Sequence, residues 1–303
     1  MHVTRAGIAG TAGAAVLLVL LTAWPAHADP FTFNTGNLDG RMASASRPNS
    51  AFGFEIETAD DFVLTDRTFI TGATFTGLIT GNSPINSIGQ VVVEIYRVFP
   101  EDSNLGRTSG APLFTTPNVP TRVNSPSDVE FDDRDSVLGT LSFTTTDLGR
   151  FTAVNSVQPG GINPKPNQTT GGDGSIAGEG VQFSVTFSTP LILPADHYFF
   201  VPQVEVTNGS GAFYWLSALR PIVSPGTPFP AGFTDLQSWT RDGVIDPDWL
   251  RIGTDIVGGN PAPTFNGAFS LTGETVPEPA SLSLLGLGLA GTRVALRRRM
   301  KRS

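Results

Sequence analysis

The sequence predicts an all-β protein: a single antiparallel β-sandwich, jelly-roll-like, over residues 29–275, with a segment at each end that lies outside the fold. Three observations carry this. Short runs rich in Val, Thr, Phe and Ile recur along the chain, either alternating apolar with polar or running β-branched. No stretch of ten residues shows the apolar period of a surface helix. The 34 glycines and 24 prolines fall largely between the runs, and the 21 phenylalanines suit a pleated core. Strands without interleaved helices build sandwiches rather than parallel α/β sheets.

The first element in chain order is MHVTRAGIAGTAGAAVLLVLLTAWPAHADP. Arg5 is the one charged residue ahead of an apolar stretch densest over 14–21. Ala26-His27-Ala28 then forms a small-x-small box before Asp29. This is the layout of a signal peptide cut by signal peptidase after Ala28, and its apolar core is short for a permanent span. Strands follow at 68–80 (TFITGATFTGLIT), 90–99, 139–146, 180–188, 197–207, 212–219 and 264–272. Pro202 lies inside one of them and cannot donate to a ladder, which predicts an edge position or a bulge there. Residues 158–180 are poor in apolar side chains and read as a long surface loop. No fixed-period repeat and no linker divides the body.

The last element, 276–303, reads VPEPASLSLLGLGLAGTRVALRRRMKRS. Residues 280–296 carry no charge except Arg293. At 1.5 Å rise that run is at the lower limit, about 17 residues, for a transmembrane helix. Gly286, Gly288 and Gly291 are tolerated in such a helix. Arg297, Arg298, Arg299, Lys301 and Arg302 follow, which keeps this end cytoplasmic while the signal peptide sends the body outward. Pro277-Glu278-Pro279 holds an extended segment just before the span, a form that a protease or transpeptidase cleft can grip. The three parts in this order resemble the PEP-CTERM sorting signal of Gram-negative bacteria. That resemblance implies that the membrane enzyme exosortase reads Pro277, Glu278 and Pro279 and removes the tail. It implies transient insertion in the inner membrane, then release to the cell surface or the extracellular polysaccharide. Arg293 inside the span departs from the pattern, but a long cation near a helix end can reach the interface.

Charge and composition narrow the chemistry. The net charge is −8 over the whole chain, and residues 29–277 hold 12 Lys+Arg against 26 Asp+Glu, with Lys165 the only lysine. Such a body repels phosphate, which excludes nucleic acid as a partner. The absence of cysteine removes disulfides, thiolate metal sites and cysteine nucleophiles. His197 is the one histidine of the body, and no Gly-x-Ser-x-Gly elbow accompanies it. Neither a Ser-His-Asp triad nor a histidine-based zinc or copper site is expected.

Carboxylates are the remaining reactive groups: Asp60 with Asp61, Glu130 with Asp132, Asp133 and Asp135, and Asp246 with Asp248. Glycoside hydrolysis needs two carboxyls facing each other across a cleft, and any chain this acidic offers pairs, so no enzyme is expected. Asp132, Asp133 and Asp135 could offer oxygens to Ca²⁺, although the EF-hand pattern is absent and Arg134 sits among them; a solvated acidic loop is the plainer reading. Asp60 or Asp61 can instead fix a turn through backbone hydrogen bonds. Trp215, Trp239 and Trp249 could stack on sugar rings if exposed, as in carbohydrate-binding modules, though core packing is commoner. Trp239 and Trp249 are the better candidates because they lie in the polar stretch LQSWTRDGVIDPDWLR.

Residues 59–64 (ADDFVL) resemble a motif at the start of strands in exported bacterial β-sandwich proteins. Residues 213–217 and 246–253 are similar to segments of other PEP-CTERM proteins. The expected function is a non-enzymatic exported surface or extracellular-matrix protein without a cofactor. A carbohydrate-binding module is the alternative, and a polysaccharide hydrolase using paired carboxylates is third.

Overall fold

A computed structural model of the chain describes residues 28–50, 53–107, 122–162, 169–207, 211–243 and 249–276. Ala26, the tripeptide Pro277, Glu278 and Pro279, and the expected transmembrane run lie outside the described residues. Among those that are described, no helix is long and apolar enough to cross a membrane.

The described strands are β1 (Pro30–Asn34), β2 (Leu38–Ala45), β3 (Ile56–Leu64), β4 (Thr68–Ile79), β5 (Ile88–Arg97), β6 (Asp132–Asp135), β7 (Leu141–Ala153), β8 (Asn155–Val157), β9 (Ile176–Leu193), β10 (Asp196–Val206), β11 (Phe213–Ala218), β12 (Trp239–Asp242), β13 (Leu250–Arg251), β14 (Asn266–Gly267) and β15 (Phe269–Thr275). They form two sheets. In the nine-stranded sheet, β9 lies between β7 and β4. The far edge of β4 is shared lengthwise by β15, which leads to β1, and by β11, which leads to β2 and β8. The six-stranded sheet runs β13-β12-β3-β10-β5-β6.

Alternation explains the layering. Along β9, Val181, Phe183, Val185 and Phe187 are buried while Gln182, Ser184, Thr186 and Ser188 face out. The inward rows of both sheets meet in one aromatic core. Phe200 of β10 stacks on Phe269 of β15 at 4.9 Å, and Phe75 of β4 stacks on Phe183 of β9 at 4.7 Å. Gly77 of β4 is required by this core: a Cβ there would stand 2.2 Å from the Phe213 ring.

Four expectations are corrected. Pairing is not antiparallel throughout, since β2 and β8 run parallel over three residues, Met42–Ser44 against Asn155–Val157. Pro202 is on neither an edge strand nor a bulge, because β10 is flanked by β3 and β5 and its register shift against β5 falls at Glu205/Val206. Its ladder to β3 ends at Phe200↔Asp60, and Ser46 occupies the gap beyond: Ser46 Oγ donates to Pro202 O, and Val204 N–H donates to Ser46 O. Val204 shares the parity of Pro202, so the missing proline N–H falls on this opened side. Residues 158–180 are not a loop throughout. Ile176 begins β9, Thr170 N–H donates to Ile256 O, and Asp173 N–H donates to Ser156 O. Finally, 132–135 is a strand and not a solvated loop.

Candidate functional site

The tail leaves the fold from β15, which is held on both edges. Pro30 pairs with Glu274 on one side, and Thr275 pairs with Thr68 on the other. Thr275 N–H donates to Asp29 O at 2.8 Å, and Val276 N–H donates to Arg67 O at 2.7 Å. The first residues after the expected signal cleavage and the last before Pro277 therefore lie side by side. Ala28, Asp29 and Pro30 are exposed there, as are the turns Thr65-Asp66-Arg67 and Pro194-Ala195. Upstream the strand is anchored, with Leu271 and Phe269 in the core.

Two buried polar clusters lie on the six-stranded sheet. In the first, Asp60 and Asp61 point to opposite faces of β3. Asp60 accepts from Ser238 Oγ at 3.0 Å, and Asp61 accepts from Leu236 N–H at 3.1 Å and contacts His197 Nε2 at 2.6 Å. Burial, with Asp61 and Asp235 nearby, holds the Asp60 carboxyl well above the usual range. Burial also raises Asp61 and pushes the His197 imidazolium down to about 4. These carboxyls fasten the segment 235–238 to β3, where the ladder to β12 has ended at Ala59; they fix a distant segment rather than a local turn. Nothing here forms a triad, because Ser238 bonds Asp60 and not His197.

The second cluster joins β3, β5 and β12. Arg241 forms a two-pronged ion pair with Glu57, and its Nη2 also donates to Tyr96 Oη at 2.9 Å. Tyr96 O–H donates to Glu57 at 2.7 Å and lies 3.3 Å from Glu94. Burial raises the Glu94 carboxyl, with Glu57 close by. It disfavours the Arg241 cation, but Glu57 and Tyr96 outweigh that and hold the guanidinium above its ordinary value. The guanidinium also lies 4.6 Å from the Trp249 ring centre. Every strong donor is consumed internally, the pattern of a structural clamp rather than of an open acid–base pair.

The tryptophans pack in the core, so the sugar-stacking alternative for Trp215, Trp239 and Trp249 has no exposed ring to use. Trp215, Trp239 and Trp249 are 2 %, 1 % and 2 % exposed. Trp215 Nε1 donates to Ala268 O and Trp249 Nε1 to Ser127 O, each at 3.0 Å. The polar neighbours that made Trp239 and Trp249 look like surface residues are instead Arg251 and Arg241, each cation lying over a ring.

The calcium candidates are spread apart. β6 alternates, so Asp132 lies beside Arg134 on one face and Asp133 beside Asp135 on the other. Arg134 Nη1 donates to Asp132 at 2.6 Å, and its other nitrogens reach Thr189 O and Pro190 O of β9. Asp135 accepts from Gln90 Nε2 and Val137 N–H. Among the described residues, no group of three or more His, Asp and Glu side chains is placed to hold a metal ion.

One surface feature was not foreseen. The outer face of the nine-stranded sheet carries rows of small polar groups in register. Thr144, Ser184, Thr74, Ser270 and Asn34 form one row across β7, β9, β4, β15 and β1. Ser142, Thr186, Gly72, Thr272 and Thr32 form the next. Thr74 and Ser270 share a hydrogen bond at 2.6 Å. No charged residue interrupts either row. The Thr-x-Thr and Ser-x-Thr alternation of the strands was the available signal, but only the register lines the rows up.

Residues 275–299 match the protein-family model of the PEP-CTERM protein-sorting motif. No curated protein and no solved structure matches the chain.

Proposed function

With the sorting motif at residues 275–299 as the premise, we propose that the chain is a non-enzymatic structural protein of the cell surface or extracellular matrix. The motif marks an exported protein and implies exosortase as its processing partner. On this reading the signal peptide is removed at Ala26-His27-Ala28, and the apolar run 280–296 holds the precursor in the inner membrane until the tail is cut. The observation that carries the non-enzymatic part is the use of the buried ionisable groups. Asp60, Asp61, His197, Glu57 and Arg241 bond to one another, to backbone or to the buried hydroxyls of Ser238 and Tyr96, which supports a scaffold rather than a catalyst. The test is the mass of the protein recovered from a strain with exosortase. A mature chain starting at Asp29 and lacking the Arg297–Arg299 cluster is expected; full-length protein kept in the inner membrane would sink the reading.

A second reading, contact with a neutral polysaccharide, has support from the uncharged hydroxyl rows on β7, β9, β4, β15 and β1 and none from the tryptophans. A neutral glycan offers the same donors and acceptors that these side chains offer. Thr144→Lys with Thr32→Lys, on strands that do not pair, is expected to abolish pull-down by a neutral polysaccharide without lowering the melting temperature. Unchanged pull-down would remove this reading.

A further inference from the structure

The hydrogen bonds of the sheet reach into the sorting motif itself. The match begins at residue 275, and Thr275 is still a strand residue bonded to Asp29. Val276 is bonded to Arg67, and Pro277 follows at once. An enzyme that grips an extended peptide needs several residues on each side of the bond it cuts. Upstream of the tripeptide this chain offers Val276 alone. The rest of β15 cannot be drawn out cheaply, because Leu271 is fully buried and Phe269 stacks on Phe200 and packs at an angle against Phe33 and Trp215.

We propose that the processing enzyme does not receive the tail as a free peptide. It docks on the end of the sandwich built by Asp29-Pro30, Thr65-Asp66-Arg67 and Pro194-Ala195, and takes Thr275 and Val276 in place, as the end of a paired strand. The inference rests on the sorting reading above. The residues of these three segments are exposed, and Thr275 and Val276 beside them are partly exposed. The reach of the chain also favours a membrane-bound partner at this end. Only Pro277, Glu278 and Pro279 separate Val276 from Ala280, a covalent span of at most about 14 Å. The exposed carboxylates of Asp29, Asp66 and Glu274 outnumber Arg67 and the new α-amino group, so the facing rim of the enzyme is expected to be basic.

The test follows tail removal over time, by mass, in cells with exosortase. A six-residue Gly-Ser insertion between Val276 and Pro277 frees the tripeptide from the body. Docking predicts roughly tenfold slower processing, because the body no longer holds the site at the enzyme. Equal or faster processing would overturn the proposal. A second variant asks whether the strand is unzipped. Pro30 and Glu274 face each other between the hydrogen-bonded pair Asp29/Thr275 and the next, the close-set position suited to a cross-strand disulfide. Pro30→Cys with Glu274→Cys adds the only two cysteines of the chain. The oxidised and reduced forms are expected to be processed at the same rate. If oxidation blocks processing and reductant restores it, β15 must peel away and docking in place is wrong. A wild-type chain that is never processed would instead reject the sorting reading, so the two failures are distinguishable.

Discussion

At the level of single residues, the body spends its ionisable side chains on holding itself together. Asp60 is the sharpest case, a carboxyl between two sheets whose neighbours are Asp61, Asp235, Arg220 and Ser238. A carboxyl raised in the fold binds its proton there before the unfolded chain does as pH falls. Its contribution is therefore best at low pH and is lost as pH rises from 3.8 through the folded value. Asp60→Asn keeps the acceptor for Ser238 and does not titrate. Its melting temperature relative to the parent should rise with pH, each unit in that window being worth about 1.4 kcal/mol; a gain independent of pH would contradict this. Arg241→Met leaves Glu57 buried without its cation and should cost about 3–5 kcal/mol in chemical denaturation. The sequence showed Asp60-Asp61 as a pair, but their partners are far away: His197 is 136 residues on and Leu236 is 175. No local pattern encodes such a contact.

At the level of elements, the long periodic runs were legible. The strands at 68–80, 90–99 and 197–207 match β4, β5 and β10 closely because each alternates, or runs apolar, for ten residues or more. The short strands β6, β12 and β13 escaped notice, since their polar residues are buried by distant partners and not by their own periodicity. β6 shows the cause. Its acidic run looks solvated until Arg134 is seen reaching across to β9. Because Arg134 already neutralises Asp132, chelator should leave the melting temperature unchanged; a drop of several degrees on adding EDTA would reinstate calcium. On β4, Gly77→Val drives a side chain into the Phe213 ring and the Tyr214 carbonyl. It should destabilise the fold by about 1–3 kcal/mol in the same denaturation assay.

At the level of the whole molecule, the core is assembled from both sheets, and the tryptophans belong to its packing. Trp249→Ala should cost about 3–5 kcal/mol of stability, seen in denaturation curves, whether or not any glycan is present. The sorting motif was legible from 276–303, because such a signal is written locally in composition. The position of the termini was not legible, since it depends on β15 finding β1 across the full length of the chain. That pairing sets the two ends of the body next to each other. Asp29 and Thr275 are one hydrogen bond apart on antiparallel strands, so a two-residue Asn-Gly turn could join them as an ordinary hairpin. A circular permutant sealed there and opened between Asn163 and Gln168 should fold with the parent's cooperativity. The order in which the strands are synthesised is then a requirement of export rather than of the fold.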